Sequence, residues 1–170
     1  MKGLIHLYCG EGKGKTTAAM GLALRAASRG KEVVIVQFLK DGLSGEVRLL
    51  STLKNVTIFA GKVCDSFTWN MTEKELIDTK NLHNELLKKA KEAKKDMLIL
   101  DEVCGACSCC LLDEDLLKSI ITEKEDDLEI VLTGRNPKDY MIEYADYITK
   151  MEKIKHPFDK GIGAREGIEY

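Results

Sequence analysis

The sequence predicts an α/β fold, a three-layer sandwich with a mainly parallel central sheet. Three observations lead there. Short apolar runs rich in Val, Ile and Leu alternate with amphipathic stretches along the chain. The stretches between runs are long enough to serve as the crossover helices that parallel pairing requires. A glycine-rich turn separates the first run from the first helical pattern, at the kind of strand-to-helix junction where such sheets bind ligands.

The elements follow in order. The run at 3–8 predicts the first strand, and the pattern at 16–29 the first helix, with Ala18, Ala19, Leu22, Ala23 and Ala26 on one face. Gly30 ends that helix. Further runs at 33–38, 56–60, 97–100 and 129–133 read, like the first, as strands buried on both faces. Between them lie helical patterns at 46–53, 73–95, 111–123 and 138–145, and 147–154 reads as a last strand. No linker, repeat or low-complexity segment interrupts the chain, so residues 1–170 form a single predicted domain, long enough to bury a proper core.

Composition narrows the function. Hydrophobic content of 44% with 32% charged residues is ordinary for a globular chain. A net charge of −2 lacks the basic excess of a nucleic-acid-binding domain. The first apolar run is too short for a secretory signal, and no stretch reaches membrane-spanning length, so a cytoplasmic protein is expected. Lys88, Lys89, Lys91, Lys94 and Lys95 read as the solvated face and end of a long helix, and 123–127 as an exposed turn.

The chemistry begins at Cys9-Gly10-Glu11-Gly12-Lys13-Gly14-Lys15-Thr16-Thr17. Glycines let the backbone aim several N–H groups at one anion, the following helix adds its positive end, and Lys15 adds a point charge. Residues 10–17 are therefore the predicted nucleotide-binding loop. Cys9 stands where the general pattern has glycine, and Gly10 and Gly12 supply the flexibility one residue later. The apolar run ending in Asp101-Glu102 opens into the same crevice, so Thr16 and one of these acids can hold Mg²⁺. Arg135, after the run at 129–133, suits either a phosphate or a structural salt bridge. Together these features describe a P-loop NTPase of the RecA-like kind.

The cysteines admit two readings. Cys104 and Cys107 have the spacing of a metal-ligand pair, with Cys109 and Cys110 close behind. No second pair or histidine set lies nearby, so a small-residue helix start packed on a neighbour is the simpler account. Trp69, the single tryptophan, reads on composition alone as a core residue.

Nearly the whole chain resembles the P-loop type of cob(I)alamin adenosyltransferase, or corrinoid adenosyltransferase. The shared segments are 10–19, Gly21-Leu22-Ala23-Leu24-Arg25-Ala26, Val36-Gln37-Phe38-Leu39-Lys40, Phe67-Thr68-Trp69, Leu98–Glu102, Leu132-Thr133-Gly134-Arg135, and the tail from Lys155-His156-Pro157-Phe158 to Gly167–Tyr170. The phosphate loop is widespread; the Phe-Thr-Trp segment and the tail are more diagnostic. The resemblance implies transfer of the 5′-deoxyadenosyl group of ATP to the cobalt of a reduced corrinoid, cob(I)alamin or cob(I)yrinic acid a,c-diamide, with release of triphosphate. It implies a catalytic Lys15, and Mg²⁺ held by Thr16 and Glu102. Arg25 and Arg135 join the nucleotide-binding set. Phe67 and Trp69 would pack under the corrin ring, displace the lower ligand of cobalt(II) and ease its reduction. A homodimer and a small flavoprotein reductant are also implied. Ser66 stands where relatives often have glycine, and some relatives carry a longer amino-terminal arm that helps cover the site. His156 belongs to the shared tail; the Asp-x-His-x-x-Gly pattern of histidine-ligated corrinoid proteins is missing, since Ile154 stands in the Asp place. The competing function is a RecA-like ATPase acting on a macromolecule, with Glu102 positioning water.

Overall fold

A computed structural model describes residues 2–42, 44–65 and 68–169. Ser66, Phe67 and Tyr170 lie outside the described residues. The chain forms strands β1 (Ile5–Cys9), β2 (Val33–Gln37), β3 (Val56–Ala60), β4 (Met97–Asp101), β5 (Glu129–Gly134) and β6 (Tyr147–Lys150). Helices α1 (Lys15–Ala27), α2 (Gly45–Leu50), α3 (Glu73–Glu92), α4 (Val103–Ser108), α5 (Glu114–Thr122) and α6 (Asp139–Tyr144) connect or follow them. The six strands make one sheet in the order β3-β2-β4-β5-β1-β6, and every neighbouring pair is parallel. This is the architecture of a P-loop NTPase, with helices on both faces of the sheet.

The strand pattern explains the layering. β2 and β4 are buried throughout because helices cover both their faces. On one face, Val34, Val36, Leu98, Leu100, Ile130 and Leu132 meet α3, α4, α5 and α6. On the other, Val33, Ile35, Met97, Ile99 and Val131 meet Ala19, Met20, Ala23 and Ala27 of α1. The expectation of burial on both faces fails at β1 and β3. β3 lies at the sheet edge and is only half-buried, while β1 alternates. The half-exposed face of β1 carries His6 and Tyr8, with His6 stacked on Tyr147 of the exposed edge strand β6.

Helix boundaries follow their caps. Thr72 and Glu75 close a reciprocal capping box at the start of α3. Asp113 accepts from the N–H groups of Asp115 and Leu116, so α5 starts there and not at 111. Leu111 and Leu112 are a buried connector behind the short helix α4, which packs so closely on β5 that a Cβ on Gly134 would lie 2.7 Å from Cys104 Cβ. Close packing of small residues is thus what the cysteine segment does. Among the described residues no group of three or more His, Cys, Asp or Glu converges as a metal cluster, and no helix is long and apolar enough to cross a membrane.

Candidate functional site

The sheet order puts β1 between β5 and β6, and the carboxyl ends of β1, β4 and β5 border one crevice. Cys9 is the last residue of β1, paired to both Gly134 and Lys150, which is why it needs no glycine. The turn falls to Gly10 at φ 100°, where a Cβ would stand 2.5 Å from Met151 O. The loop rests on the chain beyond β6: Gly12 N–H donates to Met151 O at 2.7 Å, and Met151 N–H to Cys9 O at 2.8 Å. Gly14, at φ 110°, is the N-cap of α1 and has no side chain to satisfy the first N–H groups of the helix. No acid stands in that first turn. The result is an open, positive helix end lined by Lys13, Lys15, Thr16 and Thr17, in a cavity of about 210 Å³. Lys15 is buried, its Nζ donating to Gly12 O at 2.8 Å. An anion entering this loop would find an ammonium already folded against it.

The acids take different places. Asp101 is fully buried and accepts from Thr16 Oγ1 at 2.9 Å, Thr133 Oγ1 at 2.7 Å, Gln37 Nε2 at 3.0 Å and Lys40 Nζ at 2.8 Å. Glu102 has φ 60°, which turns it out of the strand, and its N–H donates to Thr133 Oγ1. Its carboxylate lines the phosphate-loop cavity and lies 3.9 Å from Lys40 Nζ. Thr16, Asp101 and Glu102 form a set of hard oxygen donors around a point already suited to a cation, because the Lys40 ammonium stands in it. These residues fit Mg²⁺.

A second cavity, of about 510 Å³, opens beside the first between the ends of β2 and β3 and the start of α3. Trp69 stands at its rim in the short 3-10 turn Thr68–Asn70 and is 76% exposed, so it is not the core residue that composition suggested. Leu39, Val63 and Met71 supply apolar lining, and Glu102 and Arg135 belong to both cavities. His83, buried beneath, joins three segments. Its Nδ1 donates to Leu111 O at 2.8 Å, and its Nε2 accepts from Leu39 N–H at 3.3 Å. Burial holds its pKa below the ordinary value, so the ring is neutral there. Nothing in the sequence around His83 announces this role.

The remaining predicted residues sort by place. Arg135 pairs with Glu11 at 3.2 Å on the exposed rim, so it makes the salt bridge while still facing both cavities. Arg25 is not brought to the loop: it sits in the last turn of α1, roughly 15 Å along the helix from Lys15. The tail returns to the site. Lys13 Nζ donates to Ile168 O at 3.2 Å, and His156, Ile168 and Glu169 line the loop cavity. Hydrogen bonds from Arg165 bring the Glu169 carboxyl down to about 2. The His156 ring caps the following turn, its Nδ1 accepting from Phe158 N–H.

Comparison with known proteins adds a separate line. The family model described as ATP:corrinoid adenosyltransferase BtuR/CobO/CobP matches residues 1–170. A corrinoid adenosyltransferase of Sinorhizobium sp is 36% identical over 181 residues, covering 99% of this chain and 81% of its own length. One of Escherichia coli (strain K12) is 31% identical over 172 residues, with 99% and 86% covered. One of Salmonella typhimurium is 30% identical over 173 residues, again with 99% and 86% covered.

Proposed function

This chain belongs to the ATP:corrinoid adenosyltransferase family, and we propose how its own residues carry that reaction. The enzyme transfers an adenosyl group from ATP to a corrinoid. The observation that supports the assignment of residues is the junction of two cavities. The lysine-lined phosphate cradle and the Trp69-edged cavity share Glu102 and Arg135 as a common wall. Nucleotide in the first and corrinoid in the second would meet at that wall.

In this reading the 5′ carbon of ATP is attacked by cobalt(I) of the substrate; the new bond is cobalt–carbon, and the bond broken joins C5′ to the triphosphate oxygen. The nucleophile carries no proton, so no residue need act as general base. Lys15, Lys13 and the N–H groups of the α1 end stabilise charge on the departing triphosphate. Thr16 and Glu102 would hold Mg²⁺, with Asp101 fixing Thr16 through its hydrogen bond. Bound there, Mg²⁺ would add electrostatic stabilisation of the leaving group. Trp69, with Phe67, would cover the lower face of the corrin, strip the axial ligand from cobalt(II) and exclude water. The acceptor would be cob(I)alamin or cob(I)yrinic acid a,c-diamide, a flavoprotein would supply the electron, and the enzyme would work as a cytoplasmic homodimer. Nothing supports the alternative of a RecA-like ATPase.

The test is anaerobic. Protein, ATP, Mg²⁺ and chemically reduced cobalamin are mixed, and the visible spectrum is followed. The expected result is a light-sensitive adenosylcobalamin spectrum with one triphosphate per product. ADP release with no cobalt–carbon product would overturn the reading. Trp69→Ala should retain much of the rate with pre-reduced cobalt(I) and lose most of it from cobalt(II); equal retention in both assays would remove Trp69 from its role.

A further inference from the structure

Lys40 has no part in the reaction as drawn, yet it stands at the centre of the site. Its Nζ lies 2.8 Å from Asp101 Oδ2, 2.9 Å from Thr16 Oγ1 and 3.9 Å from Glu102 Oε1. These are the protein oxygens facing the proposed metal position. An ammonium and Mg²⁺, which takes oxygen ligands at about 2.1 Å, cannot share that position. Gln37 marks the same place. Its Nε2 donates to Asp101 Oδ2, while its buried Oε1 has no hydrogen-bond partner among the described residues.

We propose that Lys40 is a placeholder for the divalent cation, holding the metal position until metal and nucleotide arrive together. The inference rests on the assignment of Thr16 and Glu102 to Mg²⁺. With Lys40 in place, the fully buried Asp101 carboxylate is compensated without metal. Metal alone has to expel an ammonium and gains only the vacated oxygens. Metal arriving with triphosphate brings anionic oxygens to which the expelled ammonium can turn, so the second ligand lowers the cost of displacement for the first. The side chain has somewhere to go. Lys40 is 31% exposed and lines both the 510 Å³ cavity and a neighbouring one of about 400 Å³. Its backbone is anchored meanwhile, since Leu39, at φ 59°, is tied through its N–H to His83. Lys40 is thus a positioning residue, which makes metal binding depend on nucleotide.

The test reads Mn²⁺ binding by the loss of its free-ion electron paramagnetic resonance signal, with and without ATP and with no corrinoid present. Wild type should bind Mn²⁺ weakly alone and much more tightly with ATP. Lys40→Gln should bind Mn²⁺ without ATP about tenfold more tightly than wild type, shrinking the effect of ATP. Lys62→Gln is the control for general charge, because Lys62 lines the same two cavities but pairs with Asp65. Equal Mn²⁺ affinity in wild type and Lys40→Gln, or equal tightening by Lys62→Gln, overturns the placeholder and leaves the metal assignment standing. Failure of all forms to bind Mn²⁺ beyond what ATP binds by itself overturns the assignment and the placeholder together. A measurement on the intact side chain covers a variant that does not fold. The ¹⁵N-labelled Lys40 ammonium should give a protected resonance that persists with ATP and chelator and is lost with Mg²⁺ and ATP; persistence with both ligands overturns the proposal.

Discussion

Neighbouring residues at this site have unlike duties, and substitution separates them. Asp101 is a buried acceptor for Thr16, Thr133, Gln37 and Lys40, whereas Glu102 faces open space. Asp101→Asn places an amide N–H₂ among donors and leaves Lys40 uncompensated, so we expect a loss of about 3–5 kcal/mol in chemical denaturation. Glu102→Gln should cost under about 1 kcal/mol in the same experiment while abolishing most of the Mg²⁺-dependent rate. Lys15→Ala removes a charge-assisted donor, and roughly ten- to hundredfold weaker ATP binding by calorimetry is expected. The Asp-Glu pair was legible in the sequence, as was its nearness to Thr16. Its division of labour was not, because it depends on the positive φ of Glu102. Lys40 was visible only as part of a shared segment, since no spacing rule links it to a threonine 24 residues earlier.

Among the elements, the loops at strand ends hold the specific geometry, and the helices serve mainly to cover the sheet. His83 reaches from α3 to the loop after β2 and to the connector before α5. Its folded pKa lies below the ordinary 6.5, so the unfolded chain takes up a proton that the folded one refuses. Stability from this group is complete above about pH 6.5 and is lost as pH falls below it toward the folded value. Urea midpoints at pH 7.5 and 5.5 should show that loss in wild type, with a shallower slope in His83→Gln. Gly10→Ala should destabilise by about 1–2 kcal/mol from its left-handed backbone alone. The nearby Met151 carbonyl adds to this, and ATP affinity should fall with stability. Most strands and helices could be read from periodicity, which reports burial. The short helix α4 carried little periodic signal, having six residues with few large apolar side chains, and only its run of small residues pointed to a helix start there.

For the molecule as a whole, burial predicts which thiols react. Cys109 and Cys110 are exposed, while Cys104 and Cys107 are buried, and burial pushes the Cys104 thiol up to about 12. A thiol reagent at pH 8 should label Cys109 and Cys110 quickly and reach Cys104 and Cys107 only on unfolding; rapid labelling of Cys104 would contradict the packing against Gly134. The sheet order also has a temporal meaning. β1 finds both its partners beyond residue 128, and the loop after it leans on Met151. The nucleotide loop is therefore synthesised before the strands that shape it, and takes its form only once they have docked. A polypeptide cut before residue 129 carries every residue of the loop but lacks both strands that flank β1, so a grip on ATP should report that those later strands have been made and have docked.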